Sequence, residues 1–164
     1  MKKRYFLQAG AALVGTAWLS RYLHSNSEVQ AASNHNFEIR KTEAEWRKIL
    51  TPEQFNVLRQ HGTERAGSSP LDQQEAKGKY VCAGCNLPLF TSETKFHSGT
   101  GWPSFFAPIP GAIATTTDQS LLMTRVEVHC RRCGGHLGHV FDDGPAPTGK
   151  RYCMNGVALK FIPV

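Results

Sequence analysis

The chain has 164 residues, of which 40% are hydrophobic and 20% are charged, which is the composition of a single ordinary globular domain. This composition excludes a fully disordered chain, a coiled coil and a polytopic membrane protein. The net charge is +6, from 19 Lys and Arg against 13 Asp and Glu, and its meaning depends on whether the N-terminus is removed.

The N-terminal residues have the features of a signal peptide. A basic stretch, residues 2–4, precedes an uncharged and mostly apolar run at residues 9–19. This run is too short to span a bilayer, which needs about 20 apolar residues, and small residues follow it. We therefore predict a signal peptide at residues 1–31. A flexible tail or a monotopic anchor are the alternatives that the pattern leaves open.

Residues 3–8, Lys-Arg-Tyr-Phe-Leu-Gln, resemble the twin-arginine export motif with Lys in place of the first Arg. That route would carry the protein folded, with any metal already bound, and Sec export is the alternative. Removing residues 1–31 takes away four basic residues and one acidic residue, so the net charge falls from +6 to +3. The lower charge is weaker evidence that the mature protein binds nucleic acid. We predict a monomer in the periplasm or an equivalent extracytoplasmic compartment, with no nucleic-acid partner and no stable membrane association after processing.

The mature chain begins with a polar stretch and two short helices. We predict a flexible segment at residues 32–40 and a single domain at residues 41–164. Capping boxes, Thr42 to Glu45 and Thr51 to Gln54, predict the start of each helix, and Gly62 is expected to end the second. The predicted buried faces contain Trp46, Ile49 and Leu50 in the first helix and Phe55 and Leu58 in the second.

From residue 79 onward, short β-type runs separated by Gly and Pro replace the helical pattern. The helix–strand alternation of a parallel fold is missing from the sequence, so we predict a mainly β domain with antiparallel strands. The predicted strands are residues 79–82, 112–117, 121–129, 137–141 and 152–162, of which the last is the longest.

Four of the five cysteines form two C-x-x-C pairs, Cys82 with Cys85 and Cys130 with Cys133. Two residues between thiolates let one tight turn direct both sulfurs at the same ion, and two such turns complete a tetrahedral zinc site. The 44 residues between the pairs indicate that the metal would join distant strand ends. We predict a structural Zn²⁺. Two disulfides or free buried thiols are the alternatives to a metal site. His136 and His139, which follow the second pair closely, are weaker candidate ligands.

The fifth cysteine, Cys153, lies two residues after Arg151 and two before Asn155. A strand would place all three side chains on one face. A cation and an amide beside a thiol favour the thiolate and orient a bound polar group. A structural buried cysteine is the alternative.

Three longer segments resemble methionine sulfoxide reductase type B. They are residues 95–105 (KFHSGTGWPSF), residues 133–141 (CGGHLGHVF) and residues 144–155 (GPAPTGKRYCMN). The likeness runs from about Glu43 to Phe161, includes the HGTE segment at residues 61–64, and so covers nearly all of the mature chain.

This resemblance implies a fold of two antiparallel sheets arranged as a β-tent, with short N-terminal helices and a Cys₄ zinc site. It also implies an oxidoreductase that reduces the R epimer of methionine sulfoxide, mainly in proteins that contain oxidised methionine, back to methionine. Protein repair and defence against oxidative stress would be its role.

The resemblance further implies the site residues. Cys153 matches the nucleophile, and His139 and Asn155 match the groups that handle the sulfoxide oxygen and the proton. Trp102 matches the indole against which the substrate's S-methyl group packs, and an ordinary core position is the alternative for that ring. The implied substrate-binding residues are Trp102, His136 and Arg151.

Two features of these segments need explanation. His136 and His139 are three residues apart, so a regular strand cannot point both to one side; either a bulge at Gly138 or a packing role for His136 would account for this. Thr100 stands where many family members have a second cysteine. Cys153 would then pass through a sulfenic acid that a thioredoxin-like protein or a small thiol reduces directly.

Two other classes of function compete with the reductase. A zinc-ribbon module for nucleic acid or protein would need clustered cations near the cysteine pairs, and Arg131 and Arg132 are the candidates. An exported electron donor would need a reactive C-x-x-C pair without metal.

Overall fold

The structure is a computed structural model that describes residues 36–119 and 124–164. The predicted signal peptide, residues 1–31, lies outside the described residues and stays a prediction, as does the domain boundary. Residues 36–40, at the end of the segment predicted to be flexible, have no regular secondary structure. They nevertheless contact the domain, since the backbone N–H of Ile39 donates to the Arg132 carbonyl at 3.0 Å.

Two short helices open the domain, α1 (Glu43–Ile49) and α2 (Pro52–Gln60). Both predicted capping boxes are present, because the hydroxyls of Thr42 and Thr51 each accept a hydrogen bond from the third helical residue. Such a cap satisfies N–H groups that have no partner within a helix. The two helix starts are therefore confirmed.

Two details of the helices differ from the prediction. Ile49 is 54% exposed, whereas Trp46 and Leu50 are buried as predicted. Leu50 has extended backbone at the end of α1, which turns its side chain inwards and leaves Ile49 outside. Helix α2 is ended by His61 in the left-handed conformation, with φ 56°, and not by Gly62.

The remaining elements form two antiparallel sheets. The strands are β1 (Gly78–Cys82), β2 (Pro88–Thr91), β3 (Lys95–Phe96), β4 (Ser104–Phe105), β5 (Ile113–Asp118), β6 (Arg125–Cys130), β7 (His136–Phe141), β8 (Arg151–Met154) and β9 (Leu159–Pro163). The smaller sheet has the order β2-β1-β9 and the larger the order β3-β4-β8-β7-β6-β5. The described residues thus confirm the predicted fold class: mainly β, with two antiparallel sheets and two short helices.

The long strand predicted at residues 152–162 is wrong. The chain leaves the larger sheet after β8, makes a 3₁₀ turn at Gly156–Ala158, and enters the smaller sheet as β9. The side chain of Glu64 fixes this turn by accepting hydrogen bonds from its first two amides. Cys153 therefore lies close to the point where the chain passes from one sheet to the other.

One core joins the two sheets. The Phe105 ring of β4 stacks on Phe90 of β2 at 4.3 Å between centroids, and the Tyr80 ring of β1 meets it edge-on at 4.8 Å. Helix α2 covers the core with Phe55 and Leu58, as predicted. Among the described helices, none has the length and apolar character that crossing a membrane requires.

Candidate active site and metal centre

The four paired cysteines meet at one point. Their sulfur atoms all lie within 4.8 Å of one another, with 3.7 Å between Cys82 and Cys133 and 3.5 Å between Cys85 and Cys130. A disulfide would need about 2.05 Å, and all four thiols are free. Tetrahedral coordination with bonds of about 2.3 Å puts sulfurs about 3.8 Å apart. The residues thus fit one metal ion with four thiolate ligands.

The cysteine turns are held by the N-terminal part of the domain. The Arg59 guanidinium donates to the Cys133 carbonyl at 3.0 Å and lies over the Trp46 ring at 5.1 Å. In the turn that contains Cys130 and Cys133, Gly134 has φ 68°, and a Cβ on this residue would lie 2.3 Å from the Phe37 ring. Glycine is therefore required at this position, both for the turn and for the close approach of Phe37.

Cys153 lies in the larger sheet between two strands that carry polar side chains. It pairs with Ser104 of β4 on one side and with His139 of β7 on the other. Gly138 allows the close strand contact here, since a Cβ on it would lie 2.1 Å from the Cys153 carbonyl oxygen. The half-buried thiol opens into a cavity of about 130 Å³. The cavity is lined by Thr63, Trp102, Arg125, Gly138, His139, Phe141, Cys153 and Asn155.

The structure thus brings together four of the predicted site residues, Cys153, His139, Asn155 and Trp102, at one cavity. Of the described residues, His136 and Arg151 are not part of its lining. His136 lines a neighbouring cavity of about 340 Å³. The roles of all six residues stay predictions.

The Cys153 thiol is less acidic than its neighbours suggested. Burial raises the pKa of Cys153, and the Thr100 hydroxyl at 3.8 Å and the charge of Arg151 only partly oppose this. Arg151 also pairs with both oxygens of Asp143, at 2.9 and 2.8 Å, and lies over the Phe141 ring at 4.4 Å. Because a carboxylate offsets the Arg151 charge, the expected stabilisation of a thiolate is outweighed by burial.

Asn155 is tied to the backbone on both sides. Its side-chain N–H donates to the Leu137 carbonyl at 3.1 Å, and its side-chain oxygen accepts from the backbone N–H of Glu64 at 2.9 Å. The side chain is 4% exposed and its amide is therefore held in one orientation at the cavity wall.

Glu64 connects several parts of the site, although the sequence marks it only as part of the HGTE segment at residues 61–64. Its carboxylate accepts from the backbone N–H groups of Gly156 at 2.6 Å and Val157 at 2.8 Å. Its carbonyl oxygen accepts from the Trp102 indole at 3.2 Å. Burial raises the pKa of Glu64, and the two backbone donors oppose that rise.

A bulge in β7 brings the two histidines together. Val128 pairs with Gly138, but the next residue of β6, His129, pairs with His136, so β7 has one extra residue at Leu137. This extra residue resets the alternation of side chains, and the rings of His136 and His139 lie 5.4 Å apart. Of the two explanations for their spacing, the bulge is confirmed, although the extra residue is Leu137 and not the predicted Gly138.

Each histidine has an acidic partner that sequence reasoning missed. His139 Nε2 lies 2.8 Å from an Asp118 oxygen that also accepts from Arg125 at 2.7 Å. Burial lowers the pKa of His139, and Asp118 opposes this. His136 Nδ1 lies 2.7 Å from Glu127. Side chains alternate between the two faces of β5 and β6, and this alternation places Asp118 and Glu127 on the same face as the histidines. That pattern is the sequence signal that could have identified the two acids.

These features define a mainly β protein in which a half-buried thiol, an indole and an imidazole line one cavity and four cysteines lie close enough to bind one metal ion. The SelR domain family model matches residues 50–163, and the chain belongs to this family. This match and relatives named peptide methionine sulfoxide reductase together confirm the resemblance to methionine sulfoxide reductase type B and the prediction that the chain is an oxidoreductase of that family.

Named relatives agree with this assignment. The chain is 58% identical over 124 residues to a peptide methionine sulfoxide reductase MsrB of Methanosarcina barkeri, covering 75% of this chain and 87% of the relative. An MsrB of Agrobacterium fabrum is 53% identical over 128 residues, covering 77% and 95%. The chloroplastic peptide methionine sulfoxide reductase B2 of Arabidopsis thaliana is 44% identical over 163 residues, covering 98% and 80%.

Proposed function

We propose that this protein reduces the R epimer of methionine sulfoxide, mainly within oxidised proteins, to methionine. Protein repair and defence against oxidative stress are its role. The observation that carries the proposal is the position of Cys153 in a small cavity with Trp102, His139 and Asn155. The printed names of the relatives support the class of reaction.

The first half-reaction moves one oxygen atom from substrate to enzyme. The Cys153 sulfur attacks the sulfoxide sulfur, the S–O bond of the substrate breaks, and an S–O bond forms on Cys153. The substrate sulfur gains two electrons and leaves as methionine, and Cys153 loses two electrons and becomes a sulfenic acid. The thiol proton ends on the transferred oxygen, so the step is balanced.

His139 is suited to carry that proton. Its strand pairs with that of Cys153 at these two residues. Burial lowers the pKa of His139 and so favours the neutral ring, which is the form that can accept the thiol proton. Asp118 at 2.8 Å stabilises the imidazolium that forms. The protonated ring then delivers the proton to the sulfoxide oxygen, which makes the substrate sulfur electrophilic.

Trp102 and Asn155 orient the substrate. The indole N–H is engaged by the Glu64 carbonyl, which fixes the ring so that its face is available for an S-methyl group, an apolar contact. The sulfoxide sulfur is a chiral centre. An apolar wall on one side of it and a fixed polar group on another therefore bind the two epimers differently. Purified protein with a dithiol reductant should consume the R epimer and leave the S epimer. Equal rates on both epimers would overturn the proposal, and Cys153→Ser is the inactive control.

Regeneration of Cys153 uses an external thiol. Thr100 presents its hydroxyl 3.8 Å from the Cys153 sulfur, and the other four cysteines of the chain form the metal cluster. One external thiol attacks the sulfenic acid and releases water, and a second thiol then releases Cys153 and leaves as a disulfide. A thioredoxin-like protein or a small thiol is the reductant.

Zn²⁺ is the metal that the four thiolates would hold, because four cysteines at tetrahedral separations match its preference. The bound ion would connect the end of β1 with the end of β6 and so stabilise the domain. Four thiolate ligands leave no position for substrate, so the catalytic steps involve the Cys153 site alone.

Export to the periplasm or an equivalent compartment is proposed from the basic and apolar pattern of residues 1–31. N-terminal sequencing of the native protein should begin close to residue 32. Recovery of most of the soluble native protein with Met1 or Lys2 at its N-terminus would contradict export.

A further inference from the structure

Three side chains of types that can bind a metal ion, His61, Glu127 and His136, converge outside the Cys153 cavity. Their ligand atoms all lie within 4.8 Å of one another. One oxygen of Glu127 is 3.0 Å from His61 Nδ1 and 2.7 Å from His136 Nδ1. The residues come from the end of α2, from β6 and from β7, so the tertiary fold brings them together.

Each of the three side chains is held in place by a separate feature. The second oxygen of Glu127 accepts from the Thr116 hydroxyl at 2.8 Å, which directs the first oxygen at the imidazoles. The side chain of His136 is 3% exposed and is positioned by the bulge at Leu137. His61 has φ 56°, a conformation uncommon for residues other than glycine, and its ring centroid lies 5.2 Å from that of His136.

The distances suit a metal ion as well as hydrogen bonds. Neighbouring ligands of an octahedral ion with bonds of about 2.1 Å are about 3.0 Å apart, close to the 2.7 and 3.0 Å seen here. Two imidazoles and one carboxylate are a donor set that divalent zinc, iron and cobalt accept. The open side faces the cavity of about 340 Å³, which has room for water ligands.

We propose that His61, Glu127 and His136 form a second metal site, for a divalent first-row transition ion, distinct from the four-cysteine centre. The ion would lie beside His136, whose ring is 5.4 Å from that of His139. The proposal concerns metal binding alone and does not depend on the proposed function.

The test uses the full chain with its four-cysteine centre already filled with zinc, titrated with Co²⁺. One further equivalent should bind, with weak visible absorption and without the intense sulfur-to-cobalt bands of a thiolate site. Glu127→Gln and His61→Ala should each weaken binding about tenfold or more, since even outer-shell changes at metal sites cost about 10- to 100-fold. His61 is 65% exposed, so its replacement leaves the core intact.

The matched control is His97→Ala, which removes an exposed histidine paired with Glu75 at 3.5 Å in another part of the domain. This variant should bind Co²⁺ as the unaltered protein does. Absence of a second equivalent, or a second equivalent that neither Glu127→Gln nor His61→Ala weakens, overturns the proposal. Binding is measured directly, so an inactive reductase would not be mistaken for a missing metal site.

Discussion

The carbonyl oxygen of Glu64 accepts a hydrogen bond from the indole N–H of Trp102 at 3.2 Å. The carboxylate of the same residue accepts from the first two amides of the turn that follows β8. One loop residue therefore holds both the indole wall of the cavity and the chain segment that carries Cys153 and Asn155.

Replacing Glu64 by Ala should lower stability and impair substrate binding together. The change leaves the amides of Gly156 and Val157 without their partner, and such losses cost about 1 to 3 kcal/mol. Because the turn and the indole then move, KM for a sulfoxide peptide should rise. Denaturant unfolding and steady-state kinetics measure the two effects. Glu75→Ala removes an exposed carboxylate and should change neither; an unaltered KM in Glu64→Ala would show that Glu64 does not position the site.

Cys153 should react slowly with alkylating reagents at neutral pH. Burial raises its pKa, so the reactive thiolate fraction at pH 7 is smaller than that of an ordinary cysteine and grows as the pH rises. Arg151→Leu removes a charge that lowers this pKa, so alkylation at a given pH should become slower still. Peptide mass spectrometry after iodoacetamide treatment from pH 6 to pH 10 gives the profile.

The control for that profile is Lys160→Ala, which removes a cation whose hydrogen-bond partner is Asn86 and should leave it unchanged. A profile with its midpoint well below that of free cysteine would contradict the burial argument. It would mean that the charge of Arg151 lowers the pKa of the Cys153 thiol by more than burial raises it, as the sequence pattern alone suggested.

The metal centre should contain about one zinc per chain. Cys82→Ser removes one of four ligands and should release the metal and unfold the domain, because the binding free energy of such sites is folding free energy. Cys153→Ser is the same change at a cysteine outside the cluster, and it should retain zinc and stability. Elemental analysis and thermal unfolding report both properties. A folded Cys82→Ser protein with unchanged zinc content would show that this ligand assignment is wrong.

Thr100→Cys should introduce an internal disulfide. The hydroxyl oxygen of Thr100 lies 3.8 Å from the Cys153 sulfur, close enough for the two side chains to bond after a small movement. After one turnover with the R epimer, the variant should lose two hydrogens in mass, whereas the unaltered protein should gain one oxygen. A variant that also gains one oxygen, with both thiols still reactive, would show that the loop holds residue 100 too far away.

Much of the fold was accessible from local signals in the sequence. The capping boxes at Thr42 and Thr51 each involve only four consecutive residues, so the sequence predicts both helix starts correctly. The strands β3 and β4 have two residues each, too few for any pattern. The break between β8 and β9 depends on hydrogen bonds that the amides of Gly156 and Val157 donate to the Glu64 carboxylate. Glu64 is 92 and 93 residues away from these two residues in the sequence, so no local pattern indicates the break.

The candidate site likewise has residues that the sequence predicts and residues that it does not. Cys153, Trp102 and His139 lie within long family segments and could be selected from them. Asp118 and Glu127 were not selected, because an acid on a β-strand has the same local sequence whether it faces solvent or a histidine. Their importance is apparent only when β5, β6 and β7 are placed side by side.

The most direct test of the account is a single turnover followed by intact mass spectrometry. The zinc-loaded protein is mixed with one equivalent of the R epimer of a methionine sulfoxide peptide, without reductant. We expect one methionine formed per chain, one oxygen added to the protein, a sulfenic acid at Cys153 that a dimedone-type reagent traps, and zinc retained. Loss of two hydrogens with release of zinc would contradict it, because a cysteine of the metal centre would then be resolving Cys153.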